Sequence, residues 1–139
     1  MARKKFSNFV LDLEVDDDEI HFDISANHRY LLSETGEDNE AIDIDSCDVF
    51  TSLRLNRNEC SDIVNELETV LKNPESTEPP NAKYLDNVEV VDSIGDSSLN
   101  LDATPLGLDI HKDFLFCTLF FENKKDLEDF LSFLKDELR

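Results

Sequence analysis

The amino-acid sequence predicts an α+β domain, an antiparallel sheet with two amphipathic helices on one face. Three observations predict it. In the first half, short segments alternate apolar and acidic residues with a period of two. Two later segments space their apolar residues by three and four, as one face of a helix requires. Both helical segments follow directly on a strand-like run, at positions offset by 67 residues (Asn56 and Asn123).

The first strand is "FVLDLEV", residues 9 to 15, where Leu11, Leu13 and Val15 face one way and Asp12 and Glu14 the other. Asp16-Asp17-Asp18 reads as a turn. "EIHFDIS" repeats the pattern, with Ile20, Phe22 and Ile24 inward and His21 and Asp23 outward. A polar loop, "LSETGEDNE", leads to "AIDID", where Ile42 and Ile44 oppose Asp43 and Asp45. "DVFTSLRL" is a further strand and runs into a helix. There Asn56 and Glu59 stand three apart as in a capping box, and Cys60, Ile63, Val64, Leu67 and Leu71 form the apolar stripe. "KNPESTEPPNA", residues 72 to 82, carries three prolines and no apolar cluster and reads as a linker. Beyond it come "NVEVVDSI", "SLNLDATPLGLDIHK" and "FLFCTLFF", the last read as a strand buried on both faces. A second capped helix ends the chain, with Asn123 and Asp126 as the cap pair and Leu127, Phe130, Leu131, Leu134 and Leu138 as the stripe. Ile63, Leu67, Phe130, Leu134 and Leu138 are the residues expected to hold the helices to the sheet.

At the offset of 67, Cys60 aligns with Leu127, Ile63 with Phe130, Val64 with Leu131, Leu67 with Leu134 and Leu71 with Leu138. One reading is a single domain, 1–139, of two pseudo-symmetric strand-strand-strand-helix halves, 6–71 and 83–139, joined by linker 72–82. The other is that helical periodicity alone produces these matches.

The chain has 139 residues, enough for one domain with a real core, and ten Phe supply most of its aromatic content. With three Gly and no Trp, glycine-built phosphate loops and Trp cages are not expected. Cys47, Cys60 and Cys117 form an odd set without C-x-x-C spacing, which predicts neither disulfide framework nor zinc site and fits a reducing cytoplasm. "MARKKF" has no apolar run behind its basic residues, and the eight residues 114–121 are too short to span a bilayer, so no membrane association is expected.

Candidate chemistry is sparse. The acidic runs Asp16 to Glu19 and Asp43, Asp45, Asp48 lack the alternate ligands, glycine and twelfth-position Glu of a calcium loop. Cys60 and Cys117 fall on core positions, while acids flank Cys47 and would raise its pKa. His21, His28 and His111 are scattered, and no nucleophile elbow or P-loop occurs. No enzyme activity, metal or cofactor is expected.

The charge remains. Thirty-three acids face 13 bases, a net charge of −20, beyond what solubility asks of a small domain. Such a surface repels nucleic acid and anionic membranes and attracts basic proteins. From Asp12 to Asp48 there are fourteen acids and one base, Arg29. On alternating strands, outward carboxylates would stand about 6.6–6.8 Å apart along a strand and about 4.8 Å across, comparable to phosphates along a nucleic-acid strand. In charge, size and layout, though in no motif, this resembles the DNA-mimic inhibitors of the phage or mobile-element anti-defence type. The resemblance implies a non-catalytic protein that occludes a basic partner, a nucleic-acid-binding enzyme or nuclease. It carries over no residue; the charge layout itself singles out Asp12, Glu14, Asp16, Asp17, Asp18, Glu19, Asp23, Asp43, Asp45 and Asp48 as the expected contacts. Two alternatives stand beside it. One is a cytoplasmic immunity protein or secretion chaperone for a basic toxin; the other is a dimerisation module, a homodimer sharing the sheet at 114–121, with incidental acidity.

Overall fold

A computed structural model describes residues 2–27, 31–34, 48–72, 82–92, 99, 101–102 and 106–138. The strands are β1 (Ala2–Lys5), β2 (Phe9–Val15), β3 (Ile20–Asn27), β4 (Leu31–Glu34), β5 (Asp48–Leu55), β6 (Asn87–Asp92), β7 (Leu106–Lys112) and β8 (Leu115–Phe121), with helices α1 (Arg57–Lys72) and α2 (Lys124–Glu137). The α+β class and antiparallel pairing are as expected. The strands, however, divide between two four-stranded sheets, β1-β2-β3-β5 and β4-β8-β7-β6, where the sequence suggested one.

Each half contributes a meander of three neighbouring strands followed by a helix, β2-β3-β5-α1 and β6-β7-β8-α2. The remaining strands break that likeness. β1 is an edge strand on β2, and β4 leaves its own half to pair with β8. β4 therefore ties the first half into the second sheet.

Period-two alternation has its expected consequence. Phe9, Leu11, Leu13, Ile20, Phe22, Ile24, Leu53 and Leu55 from the first sheet are buried, as are Val88, Val90, Leu106, Leu108, Ile110, Cys117, Leu119 and Phe121 from the second. Together with Cys60, Ile63 and Leu67 of α1 and Leu127, Phe130 and Leu134 of α2 they form one core. Phe9 meets Phe121 edge to face at 5.3 Å, and Phe6 stacks on Phe9 at 4.8 Å while touching Phe130 at 5.9 Å. This aromatic knot joins the β1-β2 turn, β8 and α2, and Asn8 adds a hydrogen bond to the Phe120 carbonyl at 3.2 Å.

Both caps form. Asn56 Oδ1 accepts from the Glu59 amide at 2.8 Å and Glu59 Oε1 from the Asn56 amide at 2.9 Å, the reciprocal capping box. Asn123 accepts from the Asp126 amide at 3.0 Å. Glu59 is itself buried and takes Lys112 Nζ at 3.0 Å, and Lys112 also donates to the Arg54 carbonyl. The end of β7 is thus pinned to the β5-α1 junction.

Residues 114–121 do not form a strand buried on both faces. β8 alternates: Cys117, Leu119 and Phe121 face the core, Phe116 is exposed, and Phe114 stands in the β7-β8 turn with 87% of its surface exposed. Lys112 pairs with Leu115, so Asp113 and Phe114 make the turn, with Asp113 at φ 54°, a left-handed conformation that Asp tolerates better than most residues. The "AIDID" segment and residues 73–81 of the linker lie outside the described residues; Lys72 closes α1.

Candidate binding surface

The β2-β3 hairpin carries most of the residues singled out by the sequence. Val15 pairs with Ile20, so Asp16 to Glu19 form a four-residue connection, closed by the Asp16 amide donating to the Glu19 carbonyl at 2.8 Å. Ile20 is buried and Val15 packs partly buried against the core, which leaves the polar residues between them in solvent. Asp16, Asp17, Asp18 and Glu19 are all exposed, as is Glu14 beside them. Among the described residues, Glu14, Asp17 and Asp18 have no hydrogen-bond or ion-pair partner. His21 lies behind the turn, its Nε2 3.3 Å from Glu19 and 3.7 Å from Asp16.

Asp12, Glu14 and Asp23 do share the outer face of the first sheet, but they do not form a ruled negative array. Register places Arg3 opposite Asp12, Asp12 opposite Asp23, and Asp23 opposite Ser52. The adjacent row runs Glu14, His21, Arg54, and on the other side Lys5 faces Val10. Three acids thus meet three bases, Arg3, Lys5 and Arg54, on the described part of this face. Arg3 grips Asp12 with both arms of its guanidinium, at 2.8 and 3.0 Å, and this hydrogen bonding holds the Asp12 carboxyl below its ordinary pKa, with desolvation opposing and the Arg3 charge assisting. Asp23 accepts from Ser52 Oγ at 2.6 Å. Counting charge between positions 12 and 48 left out β1, whose residues resemble a basic tail, and Arg54, two strands from Asp12 in space.

The other candidates are dispersed. Asp48 begins β5 opposite Asn27, seven residues along β3 from the hairpin turn, or about 23 Å at strand spacing. Asp43 and Asp45 lie outside the described residues.

The second sheet presents a different outer face. Its rows read Val91-Gly107-Phe120, Glu89-Asp109-Thr118 and Asn87-His111-Phe116. Glu89 and Asp109 are its only charged residues at neutral pH among the described side chains, and both are acids. Asp109 accepts from Thr118 Oγ1 at 2.5 Å, and His111 meets the Phe116 ring edge-on at 4.7 Å. Next to this face, on α1, burial first and the Glu89 charge second push the Glu66 carboxyl up, with a Val90 backbone hydrogen bond opposing.

Nucleophilic chemistry has little to work with. Burial drives the Cys60 and Cys117 thiols up to about 12, with Glu59 and Asp109 adding to it. Among the described residues no three His, Cys, Asp or Glu side chains come together as a metal site, and no helix is long and apolar enough to cross a membrane. Sequence reasoning missed Asp62, buried in α1, whose Oδ2 accepts from the backbone amides of Tyr84 and Leu85 at 2.7 and 2.8 Å. Asp62 stands about 200° round the helix from Cys60, opposite the apolar stripe, so helical periodicity gives it to solvent and only the Tyr84-Leu85 segment covers it.

The fold and surface define a small α+β protein with a carboxylate-tipped hairpin. Comparison with protein families, curated proteins and solved structures finds no match, so function is argued from this geometry alone.

Proposed function

We propose that the chain is a non-catalytic acidic binding protein of a reducing cytoplasm that captures a basic protein and occludes it. The observation that carries this reading is the exposed tip Asp16 to Glu19, flanked by Glu14, on a protein of net charge −20. Four successive carboxylates lie within about one to two Debye lengths of one another at physiological salt, so an approaching cation feels them together. A positively charged cleft built for nucleic acid would accept them in place of phosphates, with fast, salt-sensitive association. The mixed charges on the outer face of the first sheet move the weight of this reading from a strand-long phosphate row to the hairpin tip.

The test replaces Asp16, Asp17, Asp18 and Glu19 by Lys and uses wild type and variant as baits at low and molar salt. The wild type should retain a basic protein at low salt only. The variant should lose it while its thermal melt stays unchanged or rises, because four reversals bring the net charge from −20 to about −12 and lessen repulsion with the rest of the acidic surface. Capture that survives the reversal sinks the reading.

A further inference from the structure

Among the described residues, three large apolar side chains are exposed, Tyr84 (54%), Phe114 (87%) and Phe116 (45%), and all three lie at one end of the second sheet. Hydrogen bonds hold their segments at that end: the Asp86 amide donates to the His111 carbonyl at 3.0 Å, and the Asp113 amide to Asp86 Oδ2 at 2.6 Å. The segment holding Tyr84 is thereby fastened beside the β7-β8 turn that holds Phe114. Folding does not ask for an aromatic at this turn. The left-handed residue is Asp113, and position 114 needs only a side chain that tolerates water. Exposed aromatics gathered at one end of a sheet mark interaction surfaces.

Charge selects the occupant. Asp86 and Asp113 flank the aromatics, Glu89 and Asp109 continue the negative charge along the adjoining face, Lys83 is the one base on the 82–86 segment, and Lys112 beside the turn is engaged by Glu59 and the Arg54 carbonyl. A second copy of the chain would bring these acids against their own kind and set −20 against −20. A basic surface meets them favourably, and arginine in particular stacks on Phe and Tyr faces while its guanidinium pairs with carboxylate. We propose that Tyr84, Phe114 and Phe116, with Asp86 and Asp113, form a docking surface for an arginine-bearing, partly apolar segment of the basic partner. The proposal rests on the basic-partner reading above and assigns the lasting contact to the second sheet, leaving the 16–19 tip to steer the encounter.

The test uses the full chain and a fluorescein-labelled peptide alternating arginine and leucine, with matched peptides carrying Glu for Arg or Ser for Leu, followed by anisotropy. The Arg/Leu peptide should bind and both matched peptides should not. Phe114→Ser should weaken binding roughly tenfold or more without moving the thermal melt, as expected of an interface anchor. Asp113→Asn should flatten the salt dependence. Failure of the Arg/Leu peptide to bind, equal binding of the Glu peptide, or Phe114→Ser binding as wild type overturns the proposal. So does sedimentation showing a dimer that Phe114→Ser dissolves, since the occupant is then a second copy. Loss of binding in the Asp16 to Glu19 lysine variant but not in Phe114→Ser overturns this surface and leaves the basic-partner reading standing; loss in neither overturns both.

Discussion

Asp62 offers the sharpest test of how the candidate surface is held. Its carboxylate is 3% exposed and receives two amide hydrogen bonds, one from Tyr84, whose side chain reaches solvent, and one from Leu85, which is 5% exposed. Replacing Asp62 by Ala leaves both donors without the carboxylate. The Tyr84 amide is part-buried and can recover a water at modest cost, whereas the buried Leu85 amide cannot, at about 1–3 kcal/mol for an orphaned group. Losing a charge-assisted bond at Tyr84 adds about 1 kcal/mol, and the better helix propensity of Ala returns about 0.5 kcal/mol. The net is a loss of about 1.5–3.5 kcal/mol, or roughly 5–12 °C in Tm for a chain of this size. Asp62→Asn keeps an oxygen able to accept both amides and loses only the charge, so it should cost about 1 kcal/mol. Urea unfolding followed by circular dichroism gives both values, and hydrogen exchange at the Leu85 amide reports the local effect. An Asp62→Ala variant within about 0.5 kcal/mol of wild type, the level of an ordinary surface substitution, refutes the reasoning. So does an Asn variant as unstable as the Ala variant.

Three further outcomes are expected. In a Cys47→Ser background, Cys60 and Cys117, with pKa values near 12, hold only about one thiolate in ten thousand at pH 8, so iodoacetamide should label them no faster than the protein unfolds; faster labelling of native protein contradicts their burial. Glu66→Gln should stabilise the protein at neutral pH. The folded carboxyl pKa is raised, so the native form binds the proton more tightly and stability falls as pH rises from the unfolded pKa through the folded one. The gain is no more than about 1 kcal/mol once solvent screening of a half-buried group is allowed for, and it should vanish in acid; an advantage that persists in acid rules out this origin. Gly107→Ala would put a Cβ 3.0 Å from Val91 Cγ2 and 3.4 Å from Thr118 Cγ2. Overpacking of about 1–3 kcal/mol outweighs the roughly 0.5–1 kcal/mol that Ala ordinarily gains over Gly within a strand, so denaturant unfolding should show a net loss of about 1 kcal/mol, and a stabilised variant would contradict the close approach.

Local pattern made β2, β3, β5 and both helices legible, because a half-buried strand or helix writes its period directly into the chain. The bounds of β2 and β5 match "FVLDLEV" and "DVFTSLRL", and both Asn caps stand where their spacing placed them. What escaped depends on neighbours that are distant in sequence. β1 has no apolar alternation of its own; its Arg3-Lys4-Lys5 run suits an edge strand, where lysine discourages further pairing, and only its register with β2 makes it a strand. β4 has four residues, and nothing in "LLSE" announces that its partner is β8. The run 114–121 reads as buried on both faces because consecutive apolar residues are ambiguous, and the polar Lys112-Asp113 pair just before it is the sign that the chain turns there, at Asp113 and Phe114, and that Phe114 leaves the core.

The candidate site suffered from the same limit in a more consequential way. A count of charge along the chain treats Asp12 and Arg3 as unrelated, although pairing sets them 2.8 Å apart, and it treats Arg54 as distant from Glu14 although only His21 separates them across the sheet. Once folded, the most acidic stretch of the described sequence supplies a face of nearly balanced charge and a tip that is not balanced. The second sheet, unremarkable by charge count, has an outer face with acids and no described base, ending in three exposed aromatics. In the proposed capture of a basic protein, these two surfaces would divide the requirements between them. Unpaired carboxylates on a turn act at a distance and weaken with salt, whereas buried aromatic contact acts only on touch and lowers the rate of leaving. A protein that relied on charge alone would bind any polycation; the aromatic end of the second sheet is where this chain would discriminate among basic surfaces.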